Sequence, residues 1–229
     1  MLEINNVYNC NCIDLMRAMK QQGIVADWLI ADPPYGINIG HTGFYKAAPT
    51  KKHGAAKAMQ RNYVGLAEWD NARLPKEYFD LMFEVSKEQI IFGGNYYTDI
   101  LPQTKSWIVW DKRCDTTRNN FADCELAWCS TGVARVFRYM YNGMLQDDMK
   151  HKDERWHPTQ KPTQIIAMLL NYYTKENDLV LDPFMGSFTT AIACYKTGRK
   201  YIGAEINKDF YEKGQARLLD EQRQISMFD

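Results

Sequence analysis

Leu179-Val180-Leu181-Asp182-Pro183-Phe184-Met185-Gly186-Ser187-Phe188-Thr189-Thr190 sets an apolar run, a loop with a glycine and the start of a helix directly one after another. A continuously apolar run such as Leu179–Leu181 is what a strand covered on both faces requires. The same alternation repeats outward along the chain. Val7–Cys10, Trp28–Ala31, Ile90–Phe92, Trp107–Trp110, Glu125–Cys129 and Tyr201–Ala204 also read as strands. Asp14–Gln21, Lys76–Val85, Pro162–Tyr173, Thr189–Lys196 and Lys208–Gln224 read as helices. In the Pro162 helix, Ile165, Ile166, Leu169, Leu170 and Tyr173 recur at helical spacing, which marks a core face. Strands alternating with helices predict an α/β fold with a mostly parallel sheet.

Of the 229 residues, 45% are hydrophobic and 24% charged, which is ordinary for a globular protein. Lys plus Arg and Asp plus Glu each number 28, so the formal net charge is zero. That excludes a uniformly basic carpet but not a local basic patch. The longest apolar run, Ile165–Leu170, falls far short of the ~20 residues a bilayer requires. Met1–Asn6 lacks the pattern of a signal peptide, so a cytoplasmic location without membrane attachment is expected. The six cysteines have no zinc spacing, and no metal is expected. Cys10 and Cys12 read as reduced thiols on one strand rather than a metal clip.

Two segments break the alternation. Residues 37–67 carry Lys46, Lys51, Lys52, Lys57 and Arg61 without one Asp or Glu. Residues 130–156 are polar, with Phe137, Tyr139 and Tyr141 among mixed charges. Long irregular segments in a compact domain are commonly functional or disordered. The chain therefore reads as a single domain, 1–229, with a basic loop insertion at 37–67.

Ligands of open parallel sheets sit beyond the carboxyl ends of the strands. Asp32-Pro33-Pro34-Tyr35-Gly36 follows one such strand. Two prolines stiffen the turn and leave carbonyls rather than N–H groups exposed. An acid, rigid carbonyls and an aromatic ring suit a flat substrate bearing an amino group. In the Asp182 loop, Gly186 allows close approach of a ligand, and the helix start behind it favours an anion. Glu205, about twenty residues on at another strand end, suits the hydroxyls of a ribose. His157-Pro158-Thr159-Gln160-Lys161-Pro162 reads as a polar clamp before a helix, with Pro162 at its first turn.

Together these segments resemble the amino-group DNA methyltransferases of the β class, which use S-adenosylmethionine. Asp32-Pro33-Pro34-Tyr35 resembles their catalytic motif, Asp182–Ser187 their cofactor loop, and His157–Pro162 the segment before that loop. The catalytic motif preceding the cofactor loop is similar to the circularly permuted order of that class. Phe92–Tyr97, Trp107–Lys112 and Glu125–Trp128 agree, so the resemblance spans Val7 to Asn207. It implies a seven-stranded Rossmann-like sheet with one antiparallel strand, and a short target-recognition segment at 130–156. It further implies Asn11, Asp32, His157, Thr159, Lys161, Asp182, Phe184, Gly186, Ser187, Glu205 and Asn207 around the cofactor, with Lys161 on its carboxylate. The catalytic set is Asp32, Pro33, Pro34 and Tyr35, and the basic loop contacts DNA.

Asp32 favours N6 of adenine as the target, because relatives acting on N4 of cytosine more often have Ser there. N4-cytosine methylation is the alternative, and a binding module without chemistry a further one. The short recognition segment leaves low specificity, a role for the basic loop, or recognition across a homodimer. Phe188 stands where relatives commonly have glycine, so its ring either narrows the cofactor pocket or points into the core. In the second case Phe188→Gly would cost about 3–5 kcal/mol plus a glycine penalty. Gln224–Phe228 resembles the peptides that dock bacterial DNA-processing proteins on the replication sliding clamp.

Overall fold

The computed structural model describes residues 1–37, 72–114, 122–142, 145–148 and 160–226. The chain divides into two compact units, one formed by Met1–Asp32 with Lys76–Asp229, the other by Pro33–Pro75. The expected basic insertion falls in the second unit, and nearly all of it lies outside the described residues. Within that unit Gly36 has a φ of +71° and lies against Arg73, so a β-carbon there would meet the Arg73 backbone nitrogen.

In the first unit the elements are β1 (Asn6–Tyr8), α1 (Cys12–Gln21), β2 (Ala26–Ala31), α2 (Lys76–Glu84), β3 (Ser86–Phe92), β4 (Trp107–Asp111), β5 (Cys124–Cys129) and β6 (Arg135–Arg138). There follow β7 (Tyr141–Asn142), β8 (Leu145–Gln146), α3 (Thr163–Tyr173), β9 (Leu179–Asp182), α4 (Thr189–Lys196), β10 (Lys200–Ala204) and α5 (Lys208–Ser226). Strands lie in the order β1-β10-β9-β2-β3-β5-β4-β6, and β7 and β8 form a separate two-stranded ribbon. Strand β5 is antiparallel to β3 and β4, and every other neighbouring pair in the large sheet is parallel.

The sheet thus has eight strands among the described residues, not seven. The extra one is β6, inside the stretch read as an irregular polar segment. It is an edge strand of four residues with only Phe137 buried, so it carries no apolar alternation to reveal it. Cys10 and Cys12 do not share a strand either. Asn11 Oδ1 accepts a hydrogen bond from the Ile13 N–H at 3.0 Å and caps α1, so the chain turns between the two cysteines. Cys12 is buried at the first turn of α1, and its thiol is pushed up to about 12 by desolvation.

In β2, Leu29 and Ile30 are both buried, and successive side chains of a strand face opposite ways. Both faces of the sheet are therefore covered at β2. Helices α1 and α2 pack on one another, as do α3 and α4, and α4 and α5. Asp27 extends the pairing of β2 with β9. Its Oδ2 accepts from the Leu179 N–H at 2.9 Å and its Oδ1 pairs with Lys87 at 2.7 Å.

Phe188 belongs to the core. Its side chain is fully buried, stacks edge-on against Tyr211 of α5 at 5.9 Å between centroids, and rests over Gly214. A β-carbon at 214 would overlap the ring, so the helical glycine is the space into which Phe188 fits. The Phe188 backbone is left-handed at φ 60°, which changes the sign of the glycine contribution: glycine relieves strain at this position instead of adding a penalty.

Phe188→Gly should therefore lose about 3–5 kcal/mol of packing and regain about 1–2 from the backbone, a net loss of roughly 1–4 kcal/mol. Gly214→Ala, stabilising by about 1 kcal/mol at an ordinary helix position, is expected to destabilise. Its penalty should vanish in the Phe188→Ala background. Denaturant unfolding of the double-mutant cycle measures this coupling, and additive effects would reject the packing account.

Candidate active site

Parallel strands bring their carboxyl ends to one rim, and the acids follow. Asp32 comes directly after β2, Asp182 ends β9 and Glu205 comes directly after β10. Asp182 is 5% exposed, and its Oδ1 accepts from the Phe184 N–H at 2.9 Å, which closes the turn after β9. Glu205 is 8% exposed, and its two carboxylate oxygens accept from the N–H groups of Gly186 and Asn207, each at 2.8 Å. One carboxylate thus joins the loop after β9 to the turn after β10. Gly203, paired with Asp182 across the two strands, lets the loop lie close. A β-carbon there would stand 2.5 Å from the Asp182 carbonyl oxygen.

Lys161 sits just before α3 and brings an ammonium group to this rim. Its Nζ lies 2.5 Å from Asp32 Oδ2 and 3.4 Å from Glu125 Oε2, above the Phe92 ring at 4.5 Å from the centroid. Glu125 Oε1 pairs in turn with Lys112 at 3.0 Å. Burial alone would lower the Lys161 pKa, but the two carboxylates outweigh it and the net shift is upward. Burial alone would raise Glu125, and the two lysines bring it below its ordinary value.

The backbone of Lys161 is also tied down. Its carbonyl accepts from Thr189 Oγ1 at 3.1 Å. Arg217 of α5 donates to the Ser187 carbonyl at 2.9 Å, to Thr189 Oγ1 at 3.2 Å and to Thr163 Oγ1 at 3.0 Å. One guanidinium therefore braces the glycine loop, the start of α4 and the start of α3.

Asp32, Asp182, Phe184, Gly186, Ser187, Glu205 and Asn207 all lie in the first unit at strand ends or the turns beside them, and Lys161 lies in the same unit just before α3. Pro33, Pro34 and Tyr35 open the second unit. Several side chains serve the scaffold. Asn11 caps α1, Asn207 Oδ1 accepts from the Phe210 N–H at 3.1 Å to start α5, and the Ser187 hydroxyl turns inward to Thr189 at 2.9 Å. His157, Thr159, the five basic loop residues and Met227–Asp229 lie outside the described residues.

Glu125, Lys112 and Asn9 escaped the sequence reading as site residues. Asn9 donates to the carbonyls of Glu205 at 2.7 Å and Ile206 at 3.2 Å, and so fixes the turn after β10. Glu125 escaped because β5 runs against its neighbours. Its amino end meets the rim where parallel strands bring their carboxyl ends. An acid opening a strand that otherwise reads Leu126-Ala127-Trp128-Cys129 was the available signal.

The family model described as DNA methylase matches residues 103–216. The Type II methyltransferase M2.LlaDCHI of Lactococcus lactis subsp. cremoris is 28% identical over 63% of this chain and 53% of its own length. The chain thus spans about half of that relative. The Type II methyltransferase M2.MboI of Moraxella bovis is 27% identical over 93% of this chain and 86% of its own length. Among solved structures, the complex of M1.HpyAVI with SAM superposes with a TM-score of 0.58 at 22% identity, covering 93% of this chain and 98% of that one. At that identity the likeness is one of fold.

Asp182 registers its burial beside two other acids. Desolvation first, then the charges of Asp32 and Glu205, push its carboxyl up from 3.8 to about 7. The folded protein therefore holds this proton over a range where the unfolded chain has released it. Stability should fall as pH rises from about 4 to about 7, by up to roughly 4 kcal/mol from this group. Burial raises Glu205 in the same sense. Asp182→Asn keeps an acceptor for the Phe184 N–H and removes the titration, so it should flatten the decline. Thermal melts across that window measure it, and an unchanged slope in the variant would refute the assignment.

Proposed function

We infer that this chain, which belongs to the N6/N4 DNA methylase family, transfers a methyl group from S-adenosylmethionine to the exocyclic N6 of adenine in DNA. The observation that carries the reading is the Asp32 carboxylate, held by Lys161 at the end of a buried parallel strand and followed at once by Pro33-Pro34-Tyr35.

The chemistry of the rim fits the methyl donor. Asp32, Asp182 and Glu205 form an acidic group, and burial first, with the charges of Asp32 and Glu205 behind it, raises the Asp182 pKa. Such a group favours a ligand bearing positive charge and hydroxyls. When bound, S-adenosylmethionine supplies an electrophilic methyl on a positively charged sulfur. Glu205 would take the ribose hydroxyls through the lone pairs its two backbone partners leave. Asp182 and the Gly186 loop would line the methionine end. Lys161 is already paired with two carboxylates, which favours a role beside Asp32 over the donor carboxylate expected from the sequence.

An amino group on a base is a weak nucleophile because its lone pair is delocalised into the ring. The target base must also leave the stack to be reached. Asp32 would accept one N–H and the Pro33 carbonyl the other, which draws the nitrogen toward a pyramidal shape and frees its lone pair. The Asp32 carboxylate also stabilises the positive charge that grows on nitrogen as the bond to methyl forms. Tyr35 would stack on the extruded base. No cysteine is needed as a nucleophile.

Expression in a host without DNA methylation, followed by modification-sensitive sequencing, tests the reading. N6-methyladenine is the expected mark. N4-methylcytosine would move the assignment to the alternative base, and unmodified DNA would reject the activity. Asp32→Ala should retain less than a tenth of the methyl transfer at a temperature where melts show the variant still folded. Activity above that level would displace Asp32 from the catalytic role.

The loop residues Lys46, Lys51, Lys52, Lys57 and Arg61 would bind phosphates. Neutralising all five should then reduce the salt slope of DNA binding, by at most about 0.9 for each phosphate they neutralise. Binding titrations across salt concentrations measure it, and an unchanged slope would clear the loop of a DNA role.

A further inference from the structure

We propose that Glu125 is a positioning residue for methyl transfer, acting on Asp32 through Lys161; the proposal rests on the role given to Asp32 above. Four charged groups alternate in one line, Asp32–Lys161–Glu125–Lys112, with separations of 2.5, 3.4 and 3.0 Å. They come from the end of β2, the segment before α3, the start of β5 and the residue after β4. Elements distant in sequence thus supply one connected array of charges that ends on Asp32.

Such an array is a poor device for stability alone, because burying charges consumes most of what their attraction returns. Its geometry serves placement instead. A lysine ammonium sits on a flexible four-carbon stem and by itself fixes little. Here Lys161 is 10% exposed and lies over the Phe92 ring, with Asp32 and Glu125 as its carboxylate partners. Its backbone is pinned by Thr189, which Arg217 holds. The Lys161 ammonium, so anchored, sets where Asp32 Oδ2 can lie. Glu125 keeps the ammonium from following Asp32, and Lys112 holds the far oxygen of Glu125. Glu125 does not reach the substrate in this scheme. Its two oxygens are engaged by two ammonium groups, so its effect is on the orientation of Asp32.

Glu125→Gln retains the shape but offers one acceptor oxygen to two ammonium groups. Adding Lys112→Met frees that oxygen to turn to Lys161. Single-turnover methylation with saturating DNA and S-adenosylmethionine is the assay, at a temperature where melts show every variant folded. Glu125→Gln should lower the rate at least tenfold, with KM for DNA and the Kd for S-adenosylmethionine within twofold of wild type. Glu125→Asp, with the charge withdrawn by one methylene, should fall between the two. The double variant Glu125→Gln/Lys112→Met should recover to within about threefold of wild type, a rescue that a merely structural role would not give. A Glu125→Gln rate within twofold of wild type, or a loss that the double variant does not restore, overturns the proposal. The 13C NMR signal of the Asp32 carboxyl reads the same link without turnover. It should shift in Glu125→Gln and return in the double variant, and a stationary signal overturns the proposal. If wild-type protein transfers no methyl group, the reading of function fails by itself, and this signal still decides whether Glu125 positions Asp32.

Discussion

A strand buried on both faces has its hydrogen-bonding and packing partners fixed on every side, and β2 is such a strand. Leu29 and Ile30, adjacent and opposed, are both sealed from water. β3 and β9 flank the strand, and both run parallel to it. Parallel strands end together, so the side chains just past their ends share one rim. That single constraint explains why Asp32, Asp182 and Glu205 are neighbours although they lie far apart in sequence. The helices on either face secure the strands, and the strands place the acids.

The rim would repel itself if it were left acidic throughout, and the structure manages its charge unevenly. Around Asp32 the charge is neutralised by Lys161 and, beyond it, by Glu125 and Lys112. Around Asp182 and Glu205, among the described residues, backbone N–H groups and the Thr190 hydroxyl answer it, and both carboxyls are raised. One end of the rim is thereby paired and ordered, and at the other a bound cation would offset the burial that raises the carboxyls. The amine substrate and positively charged methyl donor proposed above would suit that division.

Much of this was legible in the sequence, because the strands that build the rim are apolar runs and the acids that follow them stand at recognisable turns. The Leu179–Thr190 stretch alone gives strand, loop and helix. Two kinds of feature were not legible. The strand β6 buries only Phe137, so its pairing with β4 comes from the sheet and not from its own pattern. Glu125 enters the site because β5 is reversed, and no local feature of Cys124–Cys129 states which way the strand runs. Lys161 was singled out, but its partner depends on side-chain packing around Phe92. The roles of Asn11 and Asn207 as helix caps show the converse: a residue type suited to a ligand can be committed to the backbone beside it.

The fit of Phe188 over Gly214 also restricts how this sequence can drift. While the ring fills that space, any side chain at 214 meets it, so the glycine is held in place by a residue in another element. The order of change is therefore directional. Position 188 must shrink before 214 can grow, and once 214 has grown the ring cannot return. Lineages that differ at one of these positions are expected to differ at the other, and a chimera joining the amino-terminal part of one to α5 of another would inherit either a collision or a hole.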